Sequence, residues 1–195
     1  MISSQNNSAN IVFSLYKDTR TVFRLKDVAM LAGCSDFQSL NQKLNYYVRT
    51  GKLLNPRKGI YAKPDYNPEE LACIVYTPSY ISLEYVLQRS GVIFQYDAVI
   101  TAVSYLNRRI EVADMAFQFR KIKGDILVNL NGINRQVNQV NIASAERAFL
   151  DLLYLNPSYH FDNLSPLTRK SIMELVSIYK SKSMTDRVKK MLKNA

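Results

Sequence analysis

The stretch from Ser35 to Arg49 holds the side chains with the most to offer chemically. Its apolar residues Phe37, Leu40, Leu44, Tyr47 and Val48 fall at steps of three, four, three and one, which predicts one inward face of an amphipathic helix. Gln38, Ser39, Asn41, Gln42, Lys43, Asn45, Tyr46 and Arg49 then face outward. No acidic residue follows Asp36 on that helix. An ordinary solvated face mixes Glu with Lys; this one offers amides and cations. Amides pair with adenine, and Lys or Arg with guanine or phosphate. The face is therefore suited to reading base edges in a major groove about 12 Å wide. A second basic point follows at Arg57 and Lys58, beside Gly59. Placed at a hairpin tip, they suit a phosphate or minor-groove contact. Arg24 and Lys26 are weaker candidates for the flanking backbone.

Other reactive chemistry is sparse. His160 is the one histidine and has no nearby Ser or Cys motif to serve; it reads as a loop or helix-end residue. Cys34 and Cys73 lie 39 positions apart with no CxxC, and read as small buried hydrophobes with reduced thiols. Zinc-site and His-based metal patterns are missing. No phosphate-binding Gly-rich loop or GxSxG stands in the sequence. A nuclease-like set built on Asp114 with Gln118 and Arg120 or Lys121 lacks further acidic ligands at suitable spacing. Glu146 and Asp151 are five apart, which puts them about 140° apart on a helix and makes them a poor carboxylate pair. The 13 tyrosines are spread along the chain and read as packing residues. The expectation is a protein that is not an enzyme, with no metal and no cofactor.

Charge supports a polyanion partner. The 195 residues carry a net charge of +10. Residues 1–62 hold +6, residues 63–165 hold −2 and residues 166–195 hold +6. Basic ends of this kind are the electrostatic footprint of a nucleic-acid binder. The C-terminal run Lys180, Lys182, Arg187, Lys189, Lys190 and Lys193, backed by Val188, Met191 and Leu192, reads as a packed terminal helix with a solvated basic face; DNA, RNA or an acidic partner is the alternative. Apolar residues make up 47% of the chain, enough for a core. No run approaches the roughly 18 apolar residues of a membrane span, and the polar start lacks a secretion signal. A cytoplasmic protein with no membrane partner is expected.

The elements that must position these residues can be read from periodicity and punctuation. Residues 1–9 read as a frayed tail and Asn10–Lys17 as a short helix with Ile11, Val12, Leu15 and Tyr16 inward. An extended Thr21-Val22-Phe23 follows, then a helix over Leu25–Ala32 stopped by Gly33. Ser35 or Asp36 caps the helix to Thr50, which Gly51 ends. Lys52–Leu54 and Ile60–Ala62, bridged by Asn55-Pro56-Arg57-Lys58-Gly59, read as a β-hairpin. That order is the layout of a winged helix. Beyond it, Asn67-Pro68 opens a helix to about residue 76. Ser79 or Ser82 starts another through Ser90, with Gly91 as its stop. Val99–Tyr105 and Phe117–Ile122 read as strands. Asn131-Gly132 between Ile126–Leu130 and Ile133–Ile142 is the strongest hairpin signal. Helices are expected at Ser144–Leu155, at Pro166–Lys180 behind a Ser165 cap, and at Met184–Lys193. No repeat and no long linker appears.

Three blocks resemble the antitoxin of the abortive-infection E family, regulators in type IV toxin–antitoxin systems of bacterial phage defence. The first ends Gly51-Lys52-Leu53-Leu54 and Lys58-Gly59-Ile60-Tyr61. The second is Pro78-Ser79-Tyr80-Ile81-Ser82-Leu83-Glu84-Tyr85-Val86-Leu87, running to Gly91-Val92-Ile93. The third is Ile142 to Leu153, with Glu146-Arg147-Ala148-Phe149-Leu150-Asp151 at its centre. The resemblance implies a non-enzymatic antitoxin whose winged helix represses its own promoter and whose remaining part counteracts a nucleotidyltransferase toxin encoded beside it. It implies that DNA contact falls on Ser35, Gln38, Ser39, Gln42, Lys43, Arg57 and Lys58; the helix face adds Tyr46 and Arg49.

The sequence thus predicts an α+β protein, with a winged helix-turn-helix DNA-binding domain over 1–64. A mixed antitoxin or regulatory domain over 65–195 is expected to hold a small, mostly antiparallel sheet flanked by helices. Double-stranded DNA is the expected partner and the toxin a functional one. Two alternatives stand beside this: a ligand-responsive regulator without a toxin, its pocket in the second domain, and a module that contacts protein or RNA.

Overall fold

Val22 and Phe23 point to opposite faces of the first strand, and that alternation organises the N-terminal part. The computed structural model describes residues 4–193. They begin with α1 (Ser4–Lys17), β1 (Val22–Arg24), α2 (Leu25–Leu31), α3 (Phe37–Arg49), β2 (Leu54–Arg57) and β3 (Ile60–Ala62). The strands form an antiparallel sheet in the order β1-β3-β2. Phe23 pairs with Tyr61, and both join Ile11, Leu15, Val28, Leu40, Leu44 and Tyr47 in a core under the helices. Val22, Ile60 and Ala62 face the other way and belong to the core of the following segment. Strand side chains alternate with period two, so β1 and β3 are buried on both faces and cement two cores together, while β2 is largely exposed.

Polar bonds reinforce the joint. Glu70 accepts the backbone N–H groups of Thr21 and Val22, and Thr21 Oγ1 accepts the N–H of Asn67 at 2.8 Å. Arg24 donates to Ile74 O and Thr77 Oγ1, each at 2.6 Å. The tail expected over 1–9 lies outside the described residues for 1–3 and is helical from Ser4. A run without Gly or Pro extends a helix once buried residues such as Ile11 and Leu15 have nucleated it. Tyr16, expected inward, is exposed.

The remaining elements are α4 (Pro68–Val75), β4 (Ser79–Ile81), α5 (Glu84–Arg89), β5 (Ile100–Ser104), β6 (Arg108–Val112), β7 (Met115–Lys121), α6 (Gly124–Leu127), β8 (Ile133–Arg135), β9 (Asn141–Ala143), α7 (Ala145–Leu155), α8 (Arg169–Leu175), a 3-10 turn over Val176–Tyr179, and α9 (Lys182–Lys193). The strands make a six-stranded sheet, β6-β7-β5-β4-β9-β8. Pairs β6–β7, β4–β5 and β8–β9 are antiparallel; β5–β7 and β4–β9 are parallel. The architecture is α+β, with a larger and more mixed sheet than expected. Among the described residues no helix is long and apolar enough to cross a membrane.

Four expectations need correction here. Ser79 caps no helix: Ser79, Tyr80 and Ile81 are a strand buried between β5 and β9, and the helix starts at Glu84 after Leu83 at φ 65°. Strand β6 went unread because its turn to β7 is Ala113-Asp114, both at positive φ without Gly or Asn. The helix expected from Pro166 begins at Arg169 behind Thr168. Asn131-Gly132 is no hairpin tip; the β8–β9 link is 136–140, closed by Gln136 N to Val140 O at 2.8 Å.

Gly132 serves close packing instead. It sits at φ 76°, and an added Cβ would meet Arg147 Cβ at 3.0 Å and Leu175 Cδ1 at 3.1 Å. Gly132→Ala is therefore expected to cost about 1–3 kcal/mol from backbone strain, with the crowding of α7 added. Urea unfolding measures it; an unchanged midpoint would show that α7 and α8 yield freely at this point.

Candidate nucleic-acid interface

α3 is fixed at both ends by chemistry the sequence spells out. Gly33 at φ 59° closes α2, with Cys34 N–H bonded to Ala29 O at 2.9 Å. Asp36 Oδ1 then accepts the N–H groups of Gln38 (3.0 Å) and Ser39 (3.2 Å), satisfying two donors of the first turn. At the other end Gly51 at φ 71° allows Lys52 N–H to reach Tyr47 O at 2.9 Å. Leu40, Leu44 and Tyr47 pin the inner face.

The outer face carries Gln38, Gln42, Asn45, Tyr46 and Arg49, all exposed. The side chains of Gln38, Gln42 and Asn45 have no hydrogen-bond partner among the described residues, and Arg49 lies over the Tyr46 ring at 6.0 Å. Ser35 is exposed in the loop before the helix, while Ser39 and Lys43 are half-buried on its flank. Asn41, read as outward, accepts from Tyr61 OH at 3.4 Å. Phe37, read as inward, is 49% exposed: it stands one position past the cap, beyond the reach of the core that Leu40 begins.

The β2–β3 hairpin is tighter than expected, with Lys58-Gly59 alone at its tip and Gly59 at φ 76°. Asn55 bridges it by donating to Arg57 O (2.9 Å) and Ile60 O (2.7 Å), and Leu25 N–H ties the tip to α2 through Gly59 O at 3.0 Å. Lys58 is exposed and unpartnered among the described residues. Arg57 is exposed too, but its guanidinium lies 5.2 Å from the Tyr76 ring, which stacks edge-on against Phe119. Of the weaker candidates, Arg24 is committed to the α4 end and Lys26 is exposed. The structure thus brings Gln38, Gln42, Tyr46 and Arg49 together on one helix face, with Arg57 and Lys58 on a separate hairpin. Far along the chain, α9 buries Met184 and Val188 and exposes Lys182, Lys189, Lys190 and Lys193.

A buried polar cluster escaped the sequence reading. Asp151 accepts from Ser82 Oγ (2.8 Å), Tyr179 OH (2.6 Å), Tyr80 OH (3.2 Å) and Arg147 Nε (3.3 Å). Arg147 also donates to Ile126 O (2.8 Å) and Asn131 O (2.9 Å). Burial pushes the Asp151 carboxyl up, against the pull of Arg147 and the three hydroxyls. Burial and the Asp151 charge hold both phenols protonated well above their ordinary range, so they stay donors. The available signal was two opposite charges four apart on the apolar helix α7. Glu146, by contrast, accepts Thr168 N–H at 3.1 Å.

Cys34 and Cys73 are free and half-buried. Burial pushes the Cys73 thiol up to about 11, and it donates to Asn141 O at 3.6 Å. His160 is exposed in a loop. Among the described residues no cluster of three His, Cys, Asp or Glu is placed to hold a metal ion.

No family model matches the chain, and no curated protein is similar to it in sequence. Among solved structures, the crystal structure of RV2827C protein from Mycobacterium tuberculosis is similar in fold, at 14% identity and a TM-score of 0.50, over 94% of this chain and 77% of that one.

Proposed function

We propose that this chain is a sequence-specific DNA-binding repressor whose first 64 residues act as a winged helix-turn-helix, with α3 as the recognition helix and the β2–β3 hairpin as the wing. On the resemblance of its three blocks to abortive-infection E antitoxins, it autoregulates its own promoter and counteracts a nucleotidyltransferase toxin, the segment from residue 65 serving that second role. One observation carries the DNA reading: Gln38, Gln42, Asn45 and Arg49 stand exposed, without an acidic neighbour on α3, opposite the buried Leu40 and Leu44. Free amides on a rigid helix retain their full capacity for base edges. Phosphate contacts by Lys and Arg set affinity and register, and base contacts set specificity.

The test is binding of the purified chain to its own upstream DNA against a shuffled duplex of equal length, by anisotropy across a salt series. A preference of about 10³-fold or more is expected. Equal, steeply salt-dependent binding to both duplexes would favour the interaction-module reading.

Two substitutions separate readout from anchoring. Gln42→Ala is expected to cost about 1–3 kcal/mol on the preferred site and to relax its sequence preference; an unaltered preference removes Gln42 from the readout. Arg57→Ala is expected to weaken all duplexes alike and to flatten the salt slope by about one unit. Because Tyr76 braces the Arg57 guanidinium, Arg57→Lys should restore the slope only in part; a full slope in Arg57→Ala would exclude the wing contact.

A further inference from the structure

A groove of about 880 Å³ runs between α1 and α3. Its walls are Phe13, Tyr16, Tyr46 and Tyr47, with Lys43 and Lys52 among the lining residues and no carboxylate. Phe13 is 58% exposed, Tyr46 50% and Tyr16 49%. Tyr16 OH donates to Lys52 O at 3.1 Å, which fixes one ring against the floor. A further cation borders the groove: Lys17 Nζ stands 4.2 Å from the Phe13 ring. None of Lys17, Lys43 and Lys52 is ion-paired among the described residues.

Small-ligand sites are concave, mostly apolar and of roughly 300–1,000 Å³, with a few polar groups that set orientation. Four rings select a flat apolar body. Unpaired lysines in a lining without acids select a negative charge on it. We infer that this groove binds a planar aromatic carboxylate. A second copy of the chain fits worse: a twofold contact is self-complementary and would set Lys17, Lys43 and Lys52 against their own likenesses.

Occupancy would also be felt on α3. At about 100° per residue, Gln42, Tyr46 and Lys43 step round the helix from its outer face to the flank that faces α1. All three line the groove, and all three are in the proposed DNA-contact set. A bound carboxylate therefore competes with duplex for Lys43 and Tyr46, a regulatory consequence that rests on the DNA reading. The site itself does not.

The experiment titrates 2-naphthoate into the full chain without DNA, by calorimetry, beside neutral 2-naphthylmethanol. One saturable site is expected with a Kd below about 1 mM, at least fivefold tighter for the acid. Paired Lys43→Gln and Lys52→Gln should remove that preference while naphthylmethanol binding persists, which shows the variant is folded. No saturation by about 5 mM naphthoate, or a dimer that Phe13→Glu dissociates, overturns the site whatever the chain does with DNA. Naphthoate at ten times its Kd should then weaken duplex binding about elevenfold if the two exclude each other. Unchanged duplex affinity overturns the competition. A chain that binds naphthoate but has no duplex preference loses the DNA reading and the regulation with it, and keeps the ligand site.

Discussion

Asp151→Ala is expected to remove about 3–5 kcal/mol of folding stability, the usual consequence of stranding the partner of a buried ion pair. Asp151 and Arg147 are both fully buried. The guanidinium lies over the Tyr80 and Tyr179 rings, at 5.4 and 5.6 Å, and its other donors end on Tyr80 OH, Ile126 O and Asn131 O. Without the carboxylate its charge has no counter-ion, and Ser82, Tyr80 and Tyr179 each lose an acceptor. Hydrogen bonds to charged groups contribute about 1.5–3 kcal/mol each, with strong mutual dependence. Asp151→Asn keeps the shape and one acceptor oxygen but not the charge, so its loss should fall between wild type and alanine. Urea unfolding followed by far-UV circular dichroism reads both. A loss below about 1 kcal/mol for alanine would mean that water or a side-chain shift replaces the carboxylate.

The cluster also explains an irregular backbone. Ser82 and Leu83 link β4 to α5, and Leu83 holds φ 65° while fully buried. Ser82 is clamped on three sides: its hydroxyl by Asp151, its N–H by Thr101 O at 3.2 Å and its carbonyl by Thr101 Oγ1 at 2.6 Å. A non-glycine residue persists at positive φ only where its surroundings over-determine it. The segments 78–93 and 142–153, which carry two of the three blocks of family resemblance, therefore meet through Tyr80, Ser82, Arg147 and Asp151. Much of the pattern in those blocks is architecture, and the DNA-reading proposal stands on α3 independently of it.

What the sequence made legible was local. The spacing of Leu40, Leu44 and Tyr47, the Asp36 cap and the stops at Gly33 and Gly51 define α3 within one residue, because each is set by neighbours within a turn or two. The hairpin after α3 was legible for the same reason. Long-range pairing was not. Tyr80, Arg147 and Tyr179 are spread over about a hundred positions of the chain, and nothing near any of them marks the others. Gly132 misled because a glycine required by close packing against Arg147 looks the same in sequence as one required by a type I′ turn. The groove between α1 and α3 was not legible either, because Phe13 and Tyr46, about thirty residues apart, come together only when α1 docks beside α3.

Glu70→Ala is the sharpest probe of how the two parts hold together, with an expected loss of about 2–4 kcal/mol. Glu70 is 5% exposed in the first turn of α4, where a carboxylate also meets the positive end of the helix. One of its oxygens takes the N–H groups of Thr21 and Val22 and the other takes Asn138 Nδ2 at 3.0 Å. Three segments distant in sequence thus share a single side chain. Alanine leaves the two backbone donors and the Asn138 amide without their acceptor, a cost that packing of Val22, Ile60 and Ala62 does not offset. Val22 pairs with Ala62 in the strand that forms the hairpin, so loosening at Thr21 and Val22 is transmitted to Arg57 and Lys58. Hydrogen exchange at the Val22 amide should accelerate in step with the loss of stability or beyond it, whereas Glu70→Gln, which keeps an acceptor for the two N–H groups, should protect that amide better than alanine does. If the Val22 amide in Glu70→Ala stays as protected as in the wild type, and the urea midpoint does not move, the shared sheet alone carries the joint and the carboxylate is incidental to it.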